Sequence, residues 1–520
     1  MQGISGLHCI SFWGIAELAT ALLGMKRWDL NRRDSRSDTP LMWAVKYKNN
    51  RIAELFLGHE DIEPDRVVQC GRTVLSFAAE WGNEGIVKLL LERAEVNPDI
   101  SDRSGRTPLS FAASRGHEDV VRLLLERCDV DPNSSDHDGQ SPLSFAACSG
   151  HEGVVKLLLA REDVNPDSPD KDGRTPLSLG AGQGQEYAVK LLLERGDVNP
   201  NSLDTDGQTP LSFAVVWGGE GVVKLLLECR DIDPNLSNKY GRTPLSMAAE
   251  RGSEGIVQLL LERGDVDPNS LDKYGQSPLF FAAWKGHEDV VKLLLERGDV
   301  NPDSSDSSGR IPRFLAAWRG KHGITELLLE RGDVNPDPLD TDGRTPLSLA
   351  AKSRRRGMTK LLLERGDINP SSSKNSGQGP LPLSAECSIS LADVFSGSIS
   401  PDCESQDRNA PPQEISHPLA ANGSVCLNST EDPRPNVPIF GSALSRLPEE
   451  PLPLKQSPPK KLDSGPVCPH PCPSFGPSVY FFLLSLILLL AFLLFLPLIY
   501  HGGGDSHIFP YVWQGSIFQR

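Results

Sequence analysis

The 520-residue chain lacks the short motifs by which most enzymes hold a phosphate, a zinc ion or an activated serine. There is no Gly-x-x-x-x-Gly-Lys-[Ser/Thr], His-Glu-x-x-His, Gly-x-Ser-x-Gly or Asp-His-His-Cys. Catalysis therefore finds no foothold, and neither a cofactor nor a metal is expected. Cations are in deficit, with 53 Lys and Arg against 69 Asp and Glu and a formal charge of -16. That balance argues against nucleic acid as the main partner, because phosphate binding needs clustered positive charge. The ten cysteines never form a Cys-x-x-Cys pair, and no basic, apolar leader precedes them, since His8 and Glu17 interrupt the opening stretch. Reduced thiols facing the cytosol are the expectation. Aromatic residues make up only 6% of the chain, so the few that cluster are informative.

What the chain has in abundance is self-similarity. The glycine opening a Gly-x-[Ser/Thr]-Pro-Leu motif recurs every 34 residues, at Gly71, Gly105, Gly139, Gly173, Gly207, Gly241, Gly275, Gly309, Gly343 and Gly377. Extended backwards, the register reaches Ser37 and Gly3, giving eleven units over residues 3–376, with the first and the last two worn. Such a period predicts a solenoid, in which each unit completes its core only by stacking on its neighbours.

The unit at 275–301 shows the local signals. Ser277 is an N-cap and Pro278 occupies the first helical position, where no donor is needed. Leu279, Ala282 and Ala283 give a close-packing stripe, and Gly286 ends the first helix in the left-handed conformation. A second helix is expected from about Glu288 to Glu296, with Val290, Val291, Leu294 and Leu295 at helical spacing and Gly298 closing it. The Asp-Val-Asn-Pro stretch that follows suits an extended finger.

Gly-x-Thr-Pro-Leu, Ala-Ala-x-x-Gly-His, Val-Val-x-Leu-Leu-Leu and Asp-Val-Asn together resemble the ankyrin repeat. The implied fold is an all-α solenoid of helix-turn-helix units with extended finger loops. The resemblance implies a non-enzymatic scaffold that binds a protein on its concave face. Ser stands at the fourth position of the family's Thr-Pro-Leu-His, as at Ser76, Ser110, Ser144, Ser178, Ser212, Ser246 and Ser348, which removes a side chain that bonds between neighbours in the family. Weaker coupling between repeats is expected. The Thr-Pro-Leu-Ser and Asp-Val-Asn-Pro variants also resemble ankyrin arrays of filamentous-fungal proteins, some of which follow a nucleotide-binding switch domain. The array starts at the third residue, which leaves room for a missing upstream domain. In that alternative the chain is the recognition part of a larger switch or ubiquitin-ligase assembly.

The repeated His117, His151 and His287, beside Glu residues, mimic an acid/base set, but the period makes them structural residues of the turn between helices. Arg-Gly-Asp at Arg195, Arg263, Arg297, Arg331 and Arg365 falls at the end of the second helix and is not read as a recognition tripeptide. In residues 309–376 the array is expected to fray, with Arg313 in the place of a buried Leu and Arg354 in that of the helix-ending Gly. The local excess of 13 Lys and Arg over 8 Asp and Glu fits a polar capping end, or a contact with an acidic partner or anionic lipid.

Residues 377–390 form a degenerate partial repeat, and 391–478 read as a disordered, Pro-rich linker. Its Pro-Leu-Pro-Leu-Lys-Gln-Ser-Pro-Pro-Lys-Lys run has the form of a polyproline ligand, although proline-rich linkers are common. The 22 residues from Val479 to Tyr500 carry no charge and are long enough for a transmembrane helix. Lys455, Lys460 and Lys461 precede it and only Arg520 follows, so the array is expected to face the cytosol, with residues 501–520 a short tail across the membrane. This arrangement resembles a tail-anchored protein, and the sequons at Asn422 and Asn428 would then stay unglycosylated. Cys468 and Cys472 suit lipidation by S-palmitoylation, with unmodified thiols the leading reading.

The positions expected to face a partner are the finger tips and the two residues before the glycine that ends the first helix. They hold Lys239, Tyr240, Lys273, Tyr274, Trp284, Lys285, Trp318 and Arg319, an aromatic and basic strip suited to an acidic protein segment. Trp81 and Trp217 share the face at a greater distance. The competing reading has the tryptophans packing on each other and on lysine stems.

Overall fold

The computed structural model describes residues 4–25, 28–68, 70–331 and 338–364. Within them the chain forms twenty-two α-helices in eleven antiparallel pairs and no β-strand, with one π-helical turn at Ala214–Gly218. Each first helix packs on the first helix of the next repeat, and each second helix on the next second helix. Residues 377–390, the linker, the charge-free stretch 479–500, the tail, Cys468, Cys472 and both sequons lie outside the described residues. Among the described residues no helix is long and apolar enough to cross a membrane.

The ninth repeat shows how the sequence sets its own boundaries. The Ser277 hydroxyl accepts the Phe280 amide at 3.2 Å, and helix Pro278–Lys285 ends where Gly286 adopts φ +89°. The second helix spans Glu288–Glu296. Leu279, Ala282, Ala283, Val290, Val291 and Leu294 are buried, whereas Leu295 is half-buried. One expected boundary is corrected. Gly298 does not close the helix, because Arg297 already turns to extended backbone (φ -79°, ψ 126°) and Gly298 is absent from the left-handed region.

A continuous apolar core runs from Leu7 to Leu328, and a separate cluster holds Ala317, Leu347, Ala350, Met358 and Leu362. The core thus divides within the tenth repeat, inside the stretch 309–376 where fraying is expected, although the helix that carries Arg313 persists. Helix Pro312–Arg319 is intact although its N-cap Ile311 makes no side-chain cap, and Arg313 is only 1% exposed. Its long apolar stem fills the volume of the leucine found in other copies. Arg354 does take the left-handed place of the missing glycine, at φ +54°, a conformation that costs a non-glycine residue about 1–2 kcal/mol.

Candidate partner-binding surface

A surface on a solenoid is only as well placed as the joints beneath it, and these joints have four recurrent devices. The turn histidines reach back one repeat, His117 Nε2 to the Glu80 carbonyl at 2.9 Å, His151 to Ser114 at 3.1 Å and His287 to Glu250 at 3.0 Å. Burial pushes the His117 imidazole below its usual pKa despite that bond and the nearby Glu80, which suits a neutral structural role. The arginine after the second helix donates to the second helix of the previous repeat. Arg127 reaches the Leu91 carbonyl at 3.0 Å, Arg161 that of Leu125 at 2.7 Å and Arg297 that of Leu261 at 3.1 Å, while each pairs with the aspartate two residues on. The Arg-Gly-Asp tripeptide is thus a fastener whose cation is already engaged.

In the fingers, Asx side chains accept an amide 32 residues later, as Asn133 does from Asn165 and Asp99 from Asp131, both at 2.8 Å. The fourth device is a buried stack. The Arg72 guanidinium lies 4.1 Å from the ring centroids of both Phe77 and Phe111, and Arg106 lies 4.5 Å from Phe111 and 4.3 Å from Phe145. Arg72 also pairs with Glu80 at 2.6 Å. Burial drives the Glu80 carboxyl upward, but Arg72 and Arg115 together outweigh it and hold the carboxyl below its usual value.

These joints carry the eight candidate residues in two rows. In the fingers of repeats seven and eight, Asn238 and Asp272 each accept two amides and fix the turns that present Tyr240 and Tyr274. The Lys273 amide donates to the Tyr240 carbonyl at 2.9 Å, locking one finger to the next. The Lys273 ammonium stands 4.3 Å from the Tyr240 ring centroid and 5.0 Å from that of Tyr274. Lys239 lies over Tyr240 and pairs with Asp206. Both lysines are exposed and both tyrosines half-buried, so the row presents cations on a ring support.

The second row lies at the ends of the first helices in repeats nine and ten. Arg319 stands 5.7 Å from the ring centroids of both Trp284 and Trp318, Trp284 meets Phe280 edge-on at 5.9 Å, and Lys285 lies 3.5 Å from Glu250. Both tryptophans are half-buried, and Arg319 and Lys285 are exposed. Trp217, set by the sequence on the same face at a greater distance, is 63% exposed with Arg251 5.5 Å from its ring, and the two occupy the equivalent places in repeats seven and eight. Arg251 follows Trp217 by 34 residues, which was the available signal. Trp81 instead packs on Phe77, with ring centroids 5.5 Å apart. Among the described residues no group of His, Cys, Asp and Glu is arranged to hold a metal ion.

The ankyrin-repeat family model, written as three copies, matches residues 7–102, 94–170, 154–238, 222–306 and 298–372. The chain belongs to the ankyrin-repeat family. No curated protein matches the chain. Within this ankyrin array the fourth-position histidine survives in one place, the first repeat, where sequence reading had not identified it. Buried His8 receives Ser5 at Nδ1 (2.7 Å to Oγ) and meets the Asp38 carbonyl of the next repeat at 3.0 Å through Nε2. The later serines do not reach across. Ser110 bonds its own cap Thr107 at 3.2 Å, and Thr107 in turn meets Ser134 of the finger at 3.2 Å. The Arg-Phe stack and the arginine fasteners supply cross-repeat contacts where that histidine is missing. Ankyrin repeats are protein-protein interaction modules and generally not enzymes.

Proposed function

We propose that this ankyrin array is a non-enzymatic adaptor, tethered to a membrane through residues 479–500 with the repeats toward the cytosol, that binds an acidic protein segment on its aromatic and basic rows. The supporting observation is the cation-aromatic ladder in repeats seven to ten of a chain whose formal charge is -16. A protein with surplus carboxylates that nevertheless displays Lys273 and Arg319 on ring supports is built to meet negative charge there. Half-buried tyrosine and tryptophan supply rigid apolar area at small entropic cost, and Trp, Tyr and Arg dominate interface energies.

The test uses the full-length protein in native membranes and the partner it retains. Trp284→Ala and Tyr274→Ala should each weaken partner binding by about 1–3 kcal/mol and leave thermal unfolding close to that of the parent. Removing residues 479–520 should move the protein from the membrane to the soluble fraction, because that stretch is the strong apolar run outside the repeats. Normal binding by both variants would place the site elsewhere. Membrane retention of the truncated chain, or a glycan on Asn422 or Asn428, would reject the tether or its orientation.

A further inference from the structure

The joints between consecutive repeats are not equal. From the joint of repeats three and four to that of eight and nine, every joint but six-seven is closed by a turn side chain, an arginine fastener or both. Joint five-six, for example, has Gln185 to the Cys148 carbonyl at 3.4 Å and Arg195 to Leu159 at 3.2 Å. Joint seven-eight keeps Arg263 to Leu227 at 2.7 Å. At joint six-seven the turn position is Gly219, with no side chain, and the fastener position is Cys229, with no guanidinium.

The backbone changes at the same place. The first helix of repeat seven is α-helical only over Pro210–Phe213 and continues as the π-turn Ala214–Gly218. Val215 fills the place of the close-packed alanines Ala113, Ala147 and Ala249 and, unlike Val45 at the same place in the regular helix Pro40–Lys46 of repeat two, lies within the wider turn. The left-handed residue moves one position on, to Gly219 at φ +84°. A Cβ on Gly218 would collide with the Ala181 carbonyl of repeat six, and the Gly218 carbonyl lies against Gly184. The helices therefore meet here backbone to backbone. In the fingers the joint is intact, because Lys239 donates to the Asp206 carbonyl at 2.8 Å, Asp233 to Asn201 at 2.9 Å, and Asn201 to the Asp231 carbonyl at 2.7 Å.

We infer that joint six-seven is a hinge, at which the two helical layers part while the fingers act as the pivot, so that repeats up to six and repeats from seven onward respond as two blocks. Leu177, Ala181, Leu211 and Val215 remain buried across the joint, so the closed form is the resting one and opening is transient. Both rows of the partner surface lie in the second block. The hinge does not depend on the identity of any partner, and its test involves none.

The experiment is amide hydrogen exchange on the intact chain, read by mass spectrometry. Peptides covering 176–194 and 210–228 should exchange about ten-fold faster than those covering 142–159, the ratio expected when a joint lacks one net charge-assisted hydrogen bond. Cys229→Arg supplies a guanidinium within reach of the Leu193 carbonyl and should slow the six-seven peptides toward the values of joint four-five. Arg161→Cys moves the defect to joint four-five and should create a second fast joint there. Equal protection of the two joints in the parent would overturn the hinge. Exchange unmoved by both substitutions would overturn it as well, and Arg161→Cys carries the test alone if Cys229→Arg does not fold.

Discussion

Repeats three to five and repeats seven to ten share one 34-residue frame and place their cations and rings differently. In the former, Arg72 and Arg106 lie inside, sandwiched between Phe77, Phe111 and Phe145, and Arg127 and Arg161 fasten second helices. In the latter, Trp217, Lys239, Lys273, Lys285 and Arg319 face outward. The same chemical pair, a cation on a ring, closes a joint when it is buried between repeats and offers a surface when it stands at a finger tip or helix end. Position within the repeat decides which. Repeats seven to ten keep the fasteners Arg263, Arg297 and Arg331 and one inner pair, Arg242 on Phe281, and add the more varied exterior.

The comparison is tested most severely by attacking what the two regions have in common. Ala248 is fully buried in the first helix of repeat eight, and Ala248→Asp places an unpaired carboxylate against the neighbouring helices. A loss of several kcal/mol, about 3–5, is expected by chemical denaturation. An unchanged midpoint would mean that the close-packed alanines are not the shared frame.

A smaller effect separates the regions. Phe111→Leu keeps apolar volume in repeat four but removes the ring between Arg72 and Arg106, and should cost about 1–2 kcal/mol. The matching change in repeat eight, Met247→Leu, removes no such ring and should stay within about 1 kcal/mol. Equal losses would dissolve the distinction between inside and outside cations.

These expectations also show what was legible in the sequence. The period located each opening glycine from Gly71 to Gly343, and all nine adopt the positive φ that their turns need. It also located the Thr and Ser caps, the alanine stripes and the finger positions. What escaped were pairings between repeats, because a unit read alone does not show that Arg127 meets Leu91 or that Asn165 meets Asn133. The signal was a constant separation of 36 or 32 residues between partners. The π-turn escaped for another reason. Gly218 looks like the usual helix-ending glycine until the neighbouring backbone is seen to leave room only for glycine there and the positive φ is found at Gly219.

The smallest expected effect is a gain. Asn133 both accepts from Asn165 and donates to the Asp163 carbonyl at 2.7 Å, whereas Asp99, at the equivalent position, accepts from Asp131 but leaves buried Oδ1 with no partner among the described residues. Burial raises the Asp99 carboxyl above its ordinary value despite the Asp131 amide. With the folded value above the unfolded 3.8, ionised Asp99 destabilises the fold near neutrality, and stability is regained as pH falls through the folded value toward 3.8. Asp99→Asn should therefore stabilise by about 0.5–1.5 kcal/mol at pH 7 and remove that gain from the acid side of the melting profile. A destabilised variant would show that the finger ladder does not use the second Asx atom.

The central claim, that the outward cations and rings of repeats seven to ten are where a protein partner sits, is tested most directly by site-specific photocrosslinking in the intact protein. A photoreactive residue replaces Tyr274, Trp284 or, as a control on the exposed side of a second helix in repeat nine, Lys292. The account predicts one common adduct from positions 274 and 284, joined through an acidic stretch of the partner, and no such adduct from 292. The same adduct from 292, or none from 274 and 284 while the partner stays bound, would contradict it.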